Sequence, residues 1–339
     1  MKQPWLNNPK TDSIFILMPQ LLVLSIVFFF QNFLKEAEEN HSFFTWLLLI
    51  VFIDVAHVYA TLFKTYFVKE EFKKKRKLLI YLPIICFVIG FILFLFGAKV
   101  FWSVLAYVAV FHFIRQQYGF MRLYARMEIK TKWSVFFDNL FIYAATVYPM
   151  IFWFMSSPRK FTWFVENEFL TYQNPELLQF FTWMYYSILG FYIFRTTLFS
   201  IKKKYFNIPK NVIIIGTFLS WYFGIVYFNN DLIFTLLNVV SHGIPYMALI
   251  YFNQKESNHS FKIPKLSSLI GIFTYVGILL FFAFSEEYLW EILVWNEHFN
   301  FSQGFDYFVQ WQLILVPLLT VPQFTHYVLD GFIWKSKKQ

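Results

Sequence analysis

The sequence predicts an all-α integral membrane bundle of about ten transmembrane helices, and three observations carry that expectation. Apolar runs of about 20 residues, enough to cross a hydrocarbon core of about 30 Å as a helix, recur along the 339 residues. The composition is 58% hydrophobic and only 14% charged, with mean hydropathy +0.50, a pattern that soluble domains do not sustain. Finally, the segments between the runs alternate in charge, as the positive-inside rule requires.

The spans fall at 12–34, 43–66, 79–98, 101–124, 133–157, 177–199, 211–229, 231–252, 266–285 and 305–334. The first follows Lys2 and Lys10 but is long and lacks a small-x-small cleavage site, so it reads as a retained helix rather than a removed signal. Basic connectors run over Lys64–Lys77, Arg122–Lys132, Arg195–Lys210 and Lys255–Lys265, with a tail carrying Lys335, Lys337 and Lys338. Acidic connectors are Glu36–Glu39, Glu166–Glu176, Asp231 and Glu286–Asp306. Of the 29 Lys and Arg, four (Lys35, Lys99, Arg159, Lys160) fall on the acidic side and Arg115 lies within a span, leaving 24 on the basic side. Both termini are therefore expected in the cytoplasm. The net charge of +9 belongs to a face near anionic headgroups and is no sign of nucleic-acid binding. The aromatic, acidic segments 158–176 and 286–304 are expected along the outer interface, either lying in it or as plain loops with aromatic anchors.

The third, seventh and ninth spans carry almost no polar groups and read as lipid-facing or packing helices. No soluble domain, internal repeat or low-complexity linker interrupts the pattern, which predicts one transmembrane helical domain over 1–339. That organisation favours a bacterial cytoplasmic membrane. The lone Cys86 excludes an intramolecular disulfide.

Against this apolar background four histidines stand inside spans: His57, His112, His242 and His326. Asp54 precedes His57 by three residues, Asp330 follows His326 by four, and Arg115 and Gln116 follow His112. An Asp or Arg at mid-helix costs about 2.5–3.5 kcal/mol on insertion scales. Asp54, Arg115 and Asp330 together therefore require something near 8–10 kcal/mol of compensation from pairing, metal binding or water. These residues are where function should reside.

The charge map places the four histidines on the second, fourth, eighth and tenth spans, which all run from outside to inside. His57 lies 7 residues before Lys64, His112 10 before Arg122, His242 11 before Asn253 and His326 9 before Lys335. At 1.5 Å of rise per residue all four lie roughly 10–17 Å from the cytoplasmic end of their helices. Helical spacing puts Asp54, His57 and Thr61 on one stripe, His112 with Arg115, Gln116 and Gly119 on another, and His242 with Asn238 and Tyr246 on a third. Ser241-His242-Gly243-Ile244-Pro245 should loosen the eighth helix, as Pro317 and Pro322 should the tenth. Asp138 and Asn139 sit near the same level; Asp138 reads first as a helix-end residue and second as part of the shell. His41, His259 and His298 lie in connectors.

One buried histidine alone usually packs and hydrogen-bonds. Four at one depth, two with a neighbouring carboxylate, make a shared metal site an even alternative. His57, His112, His242 and His326 are the candidate ligands. Asp54 and Asp330 are candidate ligands or orienting carboxylates, and Arg115 and Gln116 complete the catalytic candidates. Arg115 reads as a counter-charge to Asp54 or Asp330, or as a group that holds an anionic part of a substrate. Imidazole with carboxylate suits Fe or Zn, and the absence of thiolates argues against soft-metal sites.

The arrangement resembles integral-membrane histidine metalloenzymes, and within that class the bacterial carotenoid-cleaving membrane oxygenases, whose few histidines are scattered over several helices. The likeness covers His57, His112, His242 and His326 and the multi-span layout. The HxxxH and HxxHH boxes of membrane desaturases are missing, since no two histidines here lie within five residues of one another. Membrane zinc hydrolases of the ceramidase type also combine dispersed His, Asp and Ser, and Ser241 beside His242 keeps that likeness open. The stretches 54–66, 112–124 and 326–335 have the look of signature segments.

The expected function is a metal-dependent membrane enzyme acting on a lipid-soluble small molecule from the cytoplasmic half of the bilayer, an iron oxygenase by substrate logic, because oxygen activation suits an apolar molecule with no good leaving group. The alternatives are a zinc-dependent lipid hydrolase, a proton-coupled transporter, for which buried His, Asp and Arg would serve as a relay, and bis-histidine haem binding.

Overall fold

The computed structural model describes residues 2–38, 43–256, 269–295 and 311–334. Among these residues every regular element is helical, and ten helices are long and apolar enough to cross a membrane. They are α1 (Pro9–Glu36), α2 (Phe43–Lys64), α3 (Arg76–Leu95), α4 (Ala98–Tyr124), α5 (Lys132–Met155), α6 (Pro175–Lys203), α7 (Ile208–Tyr227), α8 (Asp231–Gln254), α9 (Leu269–Trp295) and α10 (Gln312–Ile333). Each matches a span expected from the sequence. His41, His259, His298, the tail lysines and the parts of the last two spans at 266–268 and 305–310 lie outside the described residues.

Local sequence sets the helix starts. Thr131 and Ser134 form a reciprocal capping box at the head of α5, and Asn174 and Asn207 cap α6 and α7 with a proline in the first turn of each. Burial then separates lipid-facing from core helices. Only 11% of the most apolar stretch of α6 and 22% of that of α3 is buried, against 61% for α7 and 67% for α8. Large apolar side chains such as Phe29, Ile84, Phe180 and Phe273 are exposed, which is the hydrocarbon-facing surface expected of a membrane bundle.

Of the helices expected to face lipid or to pack, α7 packs and buries Asn211, Thr217 and Ser220. α9 runs ten residues beyond its expected end at 285, carrying Glu286, Glu287 and Glu291 into the helix as buried side chains. A local excess of acidic residues reads as a connector, whereas Tyr59 and Gln323 on other helices hold Glu286 in the bundle.

The chain is organised as two compact units. One is Met1–Asn40 with Phe113–Pro245, the other His41–His112 with Tyr246–Gln339. The dividing points fall inside α4 and α8, each of which is a continuous helix.

In the first unit α5 packs on α6 and α7, and α7 on α1. Gly216 on α7 lies beneath the buried amide of Gln20, which donates to the Val212 carbonyl at 3.3 Å. Trp153, Phe161, Trp163 and Phe234 form an aromatic cluster under the loop that follows α5. In that loop the Glu168 carboxylate accepts from the backbone N–H groups of Trp163, Phe164 and Val165. Burial nevertheless pushes the Glu168 carboxyl above its ordinary value.

In the second unit α2 packs on α9 and α3 on α10. Val51, Val55, Ala56, Ala60 and Phe63 of α2, Tyr246 and Ile250 of α8, and Tyr275, Leu279 and Ala283 of α9 form its core.

The helices depart from ideal α geometry near the expected site. α2 is π-helical over Leu47–Val55, α-helical over Ala56–Ala60 and 3₁₀ over Thr61–Lys64, so its winding changes twice around Asp54, His57 and Thr61. Wide π turns concentrate at functional sites because they re-aim side chains. α10 breaks at Thr320, between helices Gln312–Leu319 and Val321–Ile333, where Pro322 enters the new first turn. The loosening expected at Pro245 is not present: α8 runs through it.

Candidate metal centre

The four span histidines arrive from four helices and are all buried: His57 from α2, His112 from α4, His242 from α8 and His326 from α10. His57, His112 and His326 belong to the second unit, where each offers a ring nitrogen within 4.8 Å of the others. The four buried histidines could hold a metal ion.

Three of them form a tight group in the second unit. The Nε2 atoms of His112 and His326 are 3.2 Å apart. Their ring centroids are separated by 4.6 Å, those of His57 and His326 by 4.9 Å, and those of His57 and His112 by 6.4 Å. With metal–nitrogen bonds of about 2.0–2.1 Å, the 3.2 Å separation of the His112 and His326 nitrogens subtends about 100° at a shared ion.

His242 sits in α8 with its ring stacked on Phe113, centroids 3.6 Å apart and planes 3° from parallel. Its backbone carbonyl accepts from the Gln116 Nε2 amide at 2.8 Å. Gln116, a catalytic candidate from the sequence, thus holds the backbone of a histidine-bearing turn, and its buried Oε1 has no hydrogen-bond partner among the described residues.

The carboxylates stand close by. Asp54 Oδ1 is 3.7 Å from His57 Nδ1, the pairing expected from the i, i+3 spacing. Asp330 Oδ2 is 3.9 Å from Nδ1 of His112, rather than against His326, its neighbour in sequence. Asp330 Oδ1 accepts the Trp334 indole N–H at 2.7 Å. His326 turns its Nδ1 toward Thr61 Oγ1 at 2.7 Å, and Thr61 Oγ1 lies 3.0 Å from the Tyr246 hydroxyl.

The remaining polar candidates are engaged elsewhere. The Arg115 guanidinium donates to the Tyr143 hydroxyl at 2.5 Å and lies over the Tyr118 ring, 4.4 Å from its centroid. Asp138 takes Lys210 at 3.4 Å, and the same ammonium pairs with Glu128 at 2.8 Å.

Several residues around the histidines have no role legible in the sequence. Helical spacing places Thr61 and Tyr246 only on histidine-bearing stripes, nothing marks Trp334, and Glu286 reads as part of a connector. Glu286 accepts from the Tyr59 hydroxyl at 2.5 Å and from the Gln323 amide at 3.4 Å. Trp334 sits four residues after Asp330, a helical neighbour whose indole is a donor only.

Compared with known proteins, the chain has no match among family models, curated proteins or solved structures.

Proposed function

We propose that the protein is a metal-dependent membrane enzyme, an iron oxygenase acting on a lipid-soluble substrate from the cytoplasmic half of the bilayer. The observation that carries this reading is the convergence of the buried imidazole nitrogens of His57, His112 and His326 within 4.8 Å in the second unit. His57, His112, His242 and His326 would hold the ion. Imidazole donors with carboxylates nearby and no thiolate suit iron or zinc. Iron is chosen on the substrate: bound iron supplies oxygen activation, the chemistry an apolar molecule without a leaving group requires.

The chain's own residues would bind, orient and exclude water. Phe113 covers one face of the His242 ring, and Val55, Ala56 and Ala60 flank His57 on α2 as core residues. Such apolar walls keep bulk water from a reactive centre. Asp54 and Asp330, each within 4 Å of a histidine Nδ1, would orient those rings and partly balance a cation's charge.

The test is metal analysis of detergent-purified full-length protein. Iron near one per chain, lost in each of His57→Ala, His112→Ala, His242→Ala and His326→Ala, supports the reading. Zinc in place of iron would move the chemistry to activation of water and hydrolysis of a lipid ester or amide. No metal in protein purified without chelator sinks the enzyme reading.

A proton-coupled transporter is the second reading, favoured by a different observation. Glu286 and Glu287 are buried in α9, and Glu286 is hydrogen-bonded to Tyr59. Intramembrane carboxylates of this kind serve proton pathways. Proton uptake by metal-free protein in sealed vesicles, abolished by Glu286→Gln, would favour it.

A further inference from the structure

α6 and α7 are joined by a short connector and both pack on α5, all within the first unit. Two cavities follow one another along the seam between them. The cavity beside the connector, about 220 Å³, is bordered by Arg195 and Lys203 of α6, Lys210 and Asn211 of α7, and Asp138 of α5. The next, about 400 Å³, is bordered only by aromatic and aliphatic side chains. Ile193 of α6 and Ile215 and Leu219 of α7 are among them, and all three are exposed. Tyr192 borders both cavities. Its hydroxyl donates to Asn211 Oδ1 at 2.7 Å, which ties the polar end of the ring to the polar cavity.

The carboxylates of the polar cavity are already compensated. Lys210 Nζ lies 2.8 Å from Glu128 and 3.4 Å from Asp138, and Asn207 Nδ2 donates to Glu128 at 2.6 Å. Arg195 and Lys203 are thereby left as excess positive charge. The Arg195 guanidinium lies 4.9 Å from the Phe137 centroid and 4.8 Å from that of Phe199, and among the described residues it makes no ion pair or hydrogen bond. Rings against the faces of a guanidinium leave its N–H edge for an acceptor. Lys203 Nζ lies over the same Phe199 ring, 5.4 Å from its centroid. A guanidinium fork beside an ammonium suits a phosphate.

We infer that the α6–α7 seam holds one net-anionic phospholipid of the surrounding membrane, its phosphate against Arg195 and Lys203 and an acyl chain in the apolar cavity. Basic pockets between transmembrane helices are recurrent headgroup sites. A free phosphate would leave the adjoining apolar cavity without a role, and a neutral apolar molecule would leave the two cations without one. The amphiphile accounts for both ends of the seam. This inference is independent of the metal reading.

The experiment measures lipid binding by native mass spectrometry on full-length protein delipidated in a neutral detergent, with thermal unfolding as the check on folding. Dioleoylphosphatidylglycerol is expected to bind about tenfold more tightly than dioleoylphosphatidylcholine, whose ammonium offsets the phosphate charge. Arg195→Gln should weaken phosphatidylglycerol about 10–100-fold, as for the loss of a charge-assisted hydrogen bond. Lys203→Gln, at an exposed position, should weaken it about fivefold and carries the comparison if Arg195→Gln does not fold. Ile215→Trp fills the apolar cavity and should weaken it about threefold through lost packing against the chain. Inorganic phosphate in large excess should not displace the lipid. Equal affinity for the two lipids overturns the inference, as does unchanged phosphatidylglycerol affinity in Ile215→Trp or in a folded Arg195→Gln, with a folded Lys203→Gln in its place if needed. Displacement by phosphate alone overturns it too, since the seam would then be a site for the free anion.

Discussion

His112 and His326 face each other through their Nε2 atoms at 3.2 Å, although 214 residues separate them in the chain. Both nitrogens could serve as donors to one cation. This pair gives the sharpest test of a shared site. Replacing either with alanine should remove bound metal almost completely, and the double replacement should do no more, because a multidentate site fails as a unit. His259→Ala is the control and should retain full occupancy. Equal metal content in His112→Ala, His326→Ala and the control would exclude the pair as ligands. Metal removal should also lower stability by RT ln(1 + [L]/Kd), about 2.7 kcal/mol at a metal concentration 100 times Kd, measured as a melting temperature that rises with added metal.

The ten spans and the four histidines were legible because each rests on a signal the sequence states directly. Runs of hydrocarbon-length apolarity mark the helices, and an ionisable group inside such a run is conspicuous by its cost. The contacts of Thr61 with His326 and Tyr246 were not legible, because a hydroxyl on a helix face looks the same whether it bonds its own backbone or a side chain from another helix. Glu286 misled for the opposite reason: acidic residues read as a span's end, whereas Tyr59 and Gln323 hold this one inside. The π-helical stretch at Leu47–Val55 left no trace either, since nine nearly all-apolar residues show no periodicity from which a change of winding could be read.

Topology is a separate prediction and depends on the distribution of 24 Lys and Arg on one face against four on the other. Reporter fusions after Lys75 and Lys203 should report the cytoplasm, and a fusion at Glu168 the outside. A cytoplasmic signal at Glu168 would break the alternation and remove the assignment of the histidines to the inner half of the bilayer.

Asp138 should behave as a structural residue. Its carboxylate pairs with a buried Lys210 that also holds Glu128. Lys210→Met leaves both acids without their cation and should cost roughly 3–5 kcal/mol, the usual penalty for stranding a buried charge. Asp138→Asn leaves the Glu128 pair intact and should cost less, about 1–3 kcal/mol. Chemical denaturation would measure both, and metal content should be unchanged in either folded variant. Metal lost from Asp138→Asn at full stability would return this residue to the shell of the site.

Arg115 admits two roles with different consequences. As a counter-charge to Asp330 it would make that carboxylate's substitution rescuable: Arg115→Gln would restore stability lost in Asp330→Asn, because the stranded cation would be gone. As a partner of Tyr143 and Tyr118, where its guanidinium lies, it would be coupled to those rings. A double-mutant cycle of Arg115→Gln with Tyr143→Phe should then give an interaction of about 1–2 kcal/mol. The same change combined with Asp330→Asn should be additive within about 0.5 kcal/mol. The aromatic role is the one the contacts favour, since a guanidinium stacked on one tyrosine and donating to another has two of its preferred interactions satisfied at once. Metal content separates the roles a second time. Arg115→Gln should leave it unchanged, while Asp330→Asn should reduce affinity about 10–100-fold whether or not Arg115 is present. Rescue of Asp330→Asn by Arg115→Gln, in stability and metal content together, would make the ion pair the correct account and remove Asp330 from the surroundings of the metal site.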